Sequence, residues 1–174
     1  MTIIEGILKS KRKQKEKVTL LAEKVREDKK LITQLVKCFE VGTVAEKGHC
    51  MEAMQYVSRD EPEVVLPHID FIINHFDDAG ARVKWEVAET IHNVAQRFPE
   101  KVTKAIPKLL ESMNDRSTVA MWSVAYALTE IAKNNPRLQK ELIAKFKEIL
   151  QKEKNHGVRN IYIKALESLG EKKD

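Results

Sequence analysis

The sequence predicts an all-α fold built from repeated helical hairpins, and three observations support this. The chain has 174 residues and 43% hydrophobic content, which is enough for one compact domain that buries roughly 70% of its unfolded surface. It contains only six Gly and five Pro, whereas an all-β protein needs many tight turns. Its apolar residues recur with a helical period, and the same pattern returns at a fixed distance along the chain.

The repeat interval is set by three prolines, Pro62, Pro99 and Pro136, which are spaced 37 residues apart. Other positions keep this interval, or 38 in the last unit, so the chain contains about four copies of one unit. The repeated apolar positions include Trp85 and Trp122; Met51, Ala88 and Ala125; Ile91 and Leu128; Ile163, Leu166 and Leu169; and Ile32, Ile69, Ile106 and Ile143.

Each unit is predicted to be two helices joined by a short turn. In the second unit, apolar residues follow the stripe of a helix with 3.6 residues per turn, at Val83, Val87, Ile91, Val94 and Phe98. Turn and capping residues lie between the helices, at 41–43, 77–80, 114–117 and 155–157. The three spaced prolines are expected to open the first helix of the next unit, where the missing N–H costs nothing.

These patterns predict a domain organisation with three parts. Residues 1–27 form a basic amphipathic capping segment, residues 28–170 form the repeat domain, and residues 171–174 form a tail in which Lys172 and Lys173 are solvated. The four units are expected at about 28–60, 61–98, 99–135 and 136–170.

The repeat resembles the HEAT/armadillo superfamily of α-solenoids. The resemblance covers about residues 28 to 170 and rests on the paired helices, on the segments "ARVKWEVAETIHNVAQRFPE" and "STVAMWSVAYALTEIAKNNP", and on Pro67 and Pro107, which resemble the kinked first helix of that family. It implies a right-handed α-solenoid of about four HEAT-like hairpins, with an N-terminal capping helix or helix pair and second helices along a concave wall. The interval lies between the ~34 residues of tetratricopeptide units and the ~40 to 47 of HEAT units, which leaves the subtype open.

Metal binding is suggested by two Glu-x-x-His sequences, Glu46 to His49 and Glu89 to His92. This spacing occurs in carboxylate-bridged di-iron bundles. In the repeat register, however, His49 corresponds to Glu86, so the two copies face different ways. We therefore expect no metal site.

No other pattern indicates catalysis. The chain lacks GxGxxG, P-loop, His-Glu-x-x-His and Cys-x-x-Cys sequences. Cys38, His49 and Cys50 lack a fourth zinc ligand with structural spacing, so the two cysteines are expected to be buried thiols. The sequence predicts a protein that is not an enzyme and has no cofactor.

The best candidate binding residues lie on a stripe beside the apolar one. Residues spaced by four and three along the second helices share this face, and its aromatic and acidic side chains suit a hot spot for a protein or peptide. The predicted binding residues are Trp85, Trp122, Tyr126, Glu52, Glu89 and His92. Alternatively, the two tryptophans fill the joints between adjacent units. Both can hold, with one ring edge buried and one exposed.

The segment "KSKRKQKEK" at residues 9–17 carries a second candidate site. Its basic residues are Lys9, Lys11, Arg12, Lys13, Lys15 and Lys17. A continuous helix here would place Lys11 and Lys15 on its apolar stripe, so either two short helices meet at this point or the first helix projects beyond the solenoid. The segment is interpreted first as a solvated cap; an anchor for anionic membrane, a nucleic-acid arm and a docking tail are the alternatives.

The charge distribution separates two hypotheses for function. Residues 1–30 contain 10 Lys/Arg and 5 Asp/Glu, residues 31–136 contain 11 and 15, and residues 137–174 contain 10 and 6. The ends are basic and the middle is acidic, so the long cationic stripe that would track phosphates is missing. A scaffold that binds a protein or peptide on its concave face is therefore favoured.

The alternative is a nucleic-acid-binding solenoid similar to the HEAT-like DNA alkylation repair glycosylases. That family is expected to use a basic concave face with aromatic and acidic residues, and Trp85, Trp122 and Glu89 match it only in composition.

The expected location is the cytoplasm. The first ten residues lack the pattern of a secretory signal, and no apolar run approaches the ~18 residues of a membrane span. A membrane partner is not expected.

Overall fold

The computed structural model describes residues 1–77, 80–114 and 118–171, without the side chains of Thr118 and Val119. The turns predicted at 77–80 and 114–117 lie partly outside the described residues, and so do Lys172 and Lys173 of the predicted tail.

The described residues fold into α-helices joined by turns and short 3-10 helices. The α-helices are α1 (Ile3–Lys9), α2 (Gln14–Glu27), α3 (Ile32–Val41), α4 (Val44–Asp60), α5 (Pro62–Val65), α6 (Ile69–Asn74), α7 (Gly80–Ala95), α8 (Ile106–Ser112), α9 (Thr118–Asn134), α10 (Gln139–Lys152) and α11 (His156–Ser168). The 3-10 helices are Lys29–Leu31, Leu66–His68 and Pro99–Ala105.

The helices form two layers. In one layer α2, α4, α7, α9 and α11 lie in a row, each packed against the next, and we call this row the second-helix layer. Behind it, α3, α5 with α6, α8 and α10 each pack against their partners in the row, and α1 packs against α2 and α3. The predicted all-α hairpin repeat is thereby confirmed. Of the two alternatives for the N-terminus, the structure contains the helix pair, because α1 ends at Lys9 and α2 begins at Gln14.

One hydrophobic core runs through all the hairpins, from Ile4 in α1 to Tyr162 in α11. The repeated positions Met51, Ala88 and Ala125 are fully buried in successive helices of the row. The last unit differs from the prediction, because in the described part of the chain α11 packs in the row against α9 alone. The predicted core residues Ile163, Leu166 and Leu169 are half-buried there, and the buried residues of α11 are Val158, Tyr162 and Ala165.

Prolines divide the first helices of the middle units. Pro62 opens α5 and Pro99 opens a 3-10 helix, as predicted. Pro67 lies in the 3-10 helix Leu66–His68, and Pro107 is the second residue of α8. Proline has no N–H and its ring crowds the preceding turn, which explains why these helices are broken. Pro136 departs from the prediction: it lies in a turn, three residues before α10 begins.

Side-chain caps fix two of the inter-helix turns. Thr43 caps α4: its Oγ1 accepts the Glu46 N–H at 3.3 Å, and the Glu46 carboxylate accepts the Thr43 N–H at 2.9 Å. Asn155 caps α11 by accepting the Val158 N–H at 3.1 Å. Gly157 was predicted to lie in the turn between two helices, but it lies in the first turn of α11.

Two further sequence expectations concern the thiols and the bilayer. Cys38 and Cys50 are free and buried, as expected. In the parts of the chain that the structure describes, no helix combines the length and apolar character needed to cross a bilayer.

Candidate functional site

Two exposed aromatic side chains lie one turn apart on α9. Trp122 is 42% exposed and Tyr126 is 46% exposed, although most large apolar side chains of the chain are buried. Both belong to the stripe that the sequence predicted, and they form the exposed aromatic part of the second-helix layer.

One side of the Trp122 ring is covered by α11. A Cβ atom at Gly157 would lie 2.7 Å from ring atom Cζ2 of Trp122, so the ring occupies the space that the missing side chain leaves open. The indole Nε1 also faces Asn155 Oδ1 at 3.4 Å. Trp122 therefore contacts the neighbouring helix with one edge and leaves the rest of the ring to solvent.

His92 connects α7 to the aromatic pair. Its Nδ1 lies 3.2 Å from the backbone carbonyl of Tyr126, and its Nε2 lies 3.3 Å from Nε2 of Gln96. Nδ1 therefore faces an acceptor, and Nε2 faces the side-chain amide of Gln96. The ring also lies edge-on to Tyr126, with centroids 6.2 Å apart, and 4.0 Å from a carboxylate oxygen of Glu130.

Trp85 differs from Trp122 in its surroundings. It is half-buried on α7, and among the described residues no ring contact joins it to Trp122. The neighbouring stripe positions Gly48, Gln55 and Thr129 are buried. The exposed part of the stripe is therefore narrower than the sequence predicts.

Three carboxylates lie where α4 packs against α7. Glu52 pairs with Arg82, whose guanidinium lies in the space left by Gly48. Glu86 is only 8% exposed. Burial, together with the nearby charge of Glu52, raises its pKa to about 7 against the attraction of Arg82. Burial also raises the pKa of Glu89, although His92 and Arg59 oppose this.

Two buried polar side chains of α4 accompany these carboxylates on the same helix as Glu52. Within the described parts of the chain, Nδ1 of His49 and both amide atoms of Gln55 have no hydrogen-bond partner. Burial and the charge of Arg82 lower the pKa of His49, so its ring is neutral. Unsatisfied buried polar groups cost free energy, which marks this joint as less stable than the aliphatic parts of the core.

Metal ligation has no support in this arrangement. Among residues 1–77, 80–114 and 118–171, no group of three or more His, Cys, Asp and Glu is arranged to hold a metal ion. His49 and His92 lie in different surroundings, one buried beside Arg82 and the other at the α7–α9 contact.

Sequence reasoning missed several residues that shape this surface. Arg82 and Glu86 lie one turn apart on α7, and Glu130 and Asn155 contact the predicted residues from other helices. The positions 37 residues before and after Glu86 are His49 and Ser123, so this position of the repeat carries polar residues in three units. That polar repeat was the signal available in the sequence. The contacts of Gly157 and Asn155 with Trp122 depend on how the loop before α11 places that helix against α9. The sequence contains no signal for them.

The basic residues of the N-terminal segment lie apart from this surface, around the turn between α1 and α2. Lys17 is half-buried and donates from Nζ to the backbone carbonyl of Leu8 at 2.6 Å. The other five are exposed and lie at Lys9, Lys11, Arg12, Lys13 and Lys15.

The comparisons with known proteins support the fold. The sequence matches no protein-family model and no curated protein. Its structure is similar to a computationally designed armadillo repeat protein for modular peptide recognition, with a TM-score of 0.73, 18% identity, and coverage of 95% of this chain and 80% of that one. A second designed armadillo repeat protein, YIII(Dq)4CqI, matches with a TM-score of 0.70 and 20% identity, covering 95% of this chain and 80% of that one. A third, YIII(Dq.V1)4CPAF in complex with peptide (KR)4, matches with a TM-score of 0.61 and 18% identity, covering 95% of this chain and 97% of that one. The chain thus has an armadillo/HEAT-like helical repeat fold.

Proposed function

We infer that this chain is a non-enzymatic scaffold that binds a protein or peptide segment along its second-helix layer, across α4, α7 and α9. The observation that carries this proposal is the exposed pair Trp122 and Tyr126. Exposed tryptophan and tyrosine side chains contribute large contact areas with few rotatable bonds, and they are enriched among the residues that dominate binding energy.

The surroundings of the pair also suit recognition. Trp122 is held by Gly157 and Asn155, and Tyr126 is held against His92. A side chain that is already ordered loses less entropy when a partner binds. Two of the designed proteins named above are described as made for peptide recognition or as bound to a peptide, which supports the same use of this fold.

Charge favours a partner segment with cationic side chains. Two carboxylates lie close to His92, which packs edge-on against Tyr126: Glu130 on α9, 4.0 Å from Nδ1, and Glu89 on α7, where burial raises the pKa and the nearby histidine lowers it. Arg82 compensates Glu52. A cationic side chain placed near Glu89 and Glu130 would be attracted to them, whereas the phosphates of nucleic acid would be repelled. This argues against the nucleic-acid alternative on this surface.

The test uses a random peptide library displayed on phage and selected against the purified chain. Affinities of the selected peptides are then measured by calorimetry. W122A and Y126A should each weaken binding by roughly tenfold or more, because each removes an exposed aromatic contact. E52Q with E89Q should weaken cationic peptides more than neutral ones.

The matched control is V41S with V44S, which changes two exposed apolar residues at the α3–α4 turn and should leave affinity unchanged. Circular dichroism should show the same helicity for all variants. Equal affinity of the wild type, W122A and Y126A for every selected peptide would refute the proposal.

A further inference from the structure

The turn between α1 and α2 carries a compact group of cations, which we call the basic turn: Lys9, Lys11, Arg12, Lys13 and Lys15. All five are exposed. Their charges lie within seven residues of sequence. The proposed peptide surface does not use them.

The basic turn is fixed by the fold. Ser10 donates from its N–H and its hydroxyl to the Ile7 carbonyl, at 3.2 and 2.7 Å. Lys17 donates to the Leu8 carbonyl, and the Glu16 carboxylate accepts the Lys13 N–H at 3.3 Å. The cations therefore project from an ordered turn.

These cations form fewer close ion pairs than those farther along the chain, although N-cap hydrogen bonds and, to a smaller degree, the charge of Lys9 lower the pKa of Glu5 and Glu46. Lys24 pairs with Glu27, Arg26 with Asp60, and Lys29 with Glu61. By contrast, none of the five cations of the basic turn forms an ion pair with any carboxylate in the described ranges. Like charges held this close repel one another, and a polyanionic partner would relieve that repulsion.

An exposed apolar group accompanies the cations. Ile3 is 56% exposed at the start of α1. Seven residues of helix span about 10 Å, so Ile3 lies within about that distance of Lys9 along the helix. An exposed aliphatic side chain and cationic side chains on the same short helix and the turn after it suit the headgroup boundary of a bilayer.

The same features discriminate between polyanions. Single-stranded nucleic acid binds on aromatic side chains in a basic groove, and residues 1–30 contain no aromatic residue. Duplex binding requires phosphate contacts along an extended surface, whereas the basic turn is confined to one end of an acidic body. Groups of four to eight Lys and Arg on an amphipathic helix are typical of anionic lipid binding.

We propose that the basic turn docks the protein reversibly on an anionic lipid surface, with Ile3 entering the headgroup boundary. The residues of this lipid contact differ from those of the proposed peptide surface. An experiment can therefore refute either proposal without refuting the other.

The test is flotation of the full chain with vesicles of phosphatidylcholine alone and of phosphatidylcholine with phosphatidylserine. Binding should require phosphatidylserine and should fall as salt is raised. Reversal of three charges, K11E with R12E and K13E, should lower the affinity by at least a hundredfold. I3S should lower it several-fold at every salt concentration, since it removes apolar contact only.

The matched control is K140E with K152E and K164E, which reverses three exposed cations at the other end of the chain and should retain most of the binding. Three outcomes would overturn the proposal: equal binding to neutral vesicles, equal loss in the control, or tighter binding to single-stranded RNA or duplex DNA than to the anionic vesicles. Circular dichroism of each variant excludes unfolding as a cause.

Discussion

Glu86 is a carboxyl group that is buried near two others, Glu52 and Glu89. Its pKa is raised from 4.5 to about 7 in the folded chain. A raised pKa means that the folded state binds the proton more tightly than the unfolded state, so the stabilisation from this group is complete below pH ~4.5 and is lost as pH rises through about 7. Folding and proton binding are therefore linked at one side chain.

We expect E86Q, which resembles the protonated acid, to be more stable than the wild type at pH 8.5 by roughly 2 kcal/mol. At pH 4.5 the difference should be much smaller. Urea unfolding at both values measures this, with E100Q, an exposed glutamate, as the control. A difference that does not depend on pH would contradict the assignment.

A substitution of Gly157 tests whether this glycine sets the position of the Trp122 ring. In G157A the new methyl group would collide with the indole ring, so the ring must move outward. Helix propensity favours alanine by about 1 kcal/mol, which offsets part of the cost, so global stability should change little. In a W85F background, emission of the remaining tryptophan should shift to longer wavelength, and affinity for the selected peptides should fall. An unchanged spectrum would show that the ring is not held by this contact.

At the scale of the helix, α4 depends on its first turn. Thr43 satisfies the Glu46 N–H, and the hydrogen bonds from Thr43 hold the pKa of Glu46 below its usual value. T43A should therefore cost about 1 kcal/mol in the free energy of unfolding. T43S, which keeps the hydroxyl, should cost much less. Urea denaturation measures both, and equal losses would assign the effect to the methyl group.

The helices were predicted well where the apolar pattern is regular. Positions such as Leu35, Ile72 and Leu109 are fully buried, because a 3.6-residue period and a constant repeat leave one face for the core. Pro136 was assigned wrongly because proline is tolerated both in a helix's first turn and just before it. The repeat register marks position 86 as polar, but it does not show that the carboxyl is buried, since a charged residue is normally placed on the surface.

At the scale of the whole molecule, α2 is a full member of the second-helix layer. Val18, Leu21, Ala22 and Val25 are fully buried on it, and it packs against α4. The lysines in the preceding turn obscured this in the sequence, because they interrupt the apolar stripe. Residues 1–27 are thus expected to complete the core.

Deleting residues 1–27 should expose the apolar side of α4 and destabilise the whole stack. We expect a lower midpoint and lower cooperativity in thermal unfolding, together with binding of a hydrophobic dye. The triple variant K11E with R12E and K13E serves as the control, because it removes the charge and keeps the helices. A shortened chain that unfolds like the wild type would show that the first hairpin contributes nothing to the core.

The row of stacked helices also separates two groups of opposite charge, the cations of the basic turn and the carboxylates of α4 and α7. Neighbouring helix axes lie about 8 to 10 Å apart, so the basic turn beside α2 and the carboxylates of α4 and α7 are one or two helices apart. This spacing is comparable to the Debye length of about 8 Å at physiological ionic strength, so salt weakens the attraction between the two groups without removing it. The proposed peptide surface and the proposed lipid contact use different helices, so a cationic peptide and an anionic surface would not compete for the same residues. On such a surface the peptide would be confined to a thin layer, and its effective concentration there would rise without any new contact.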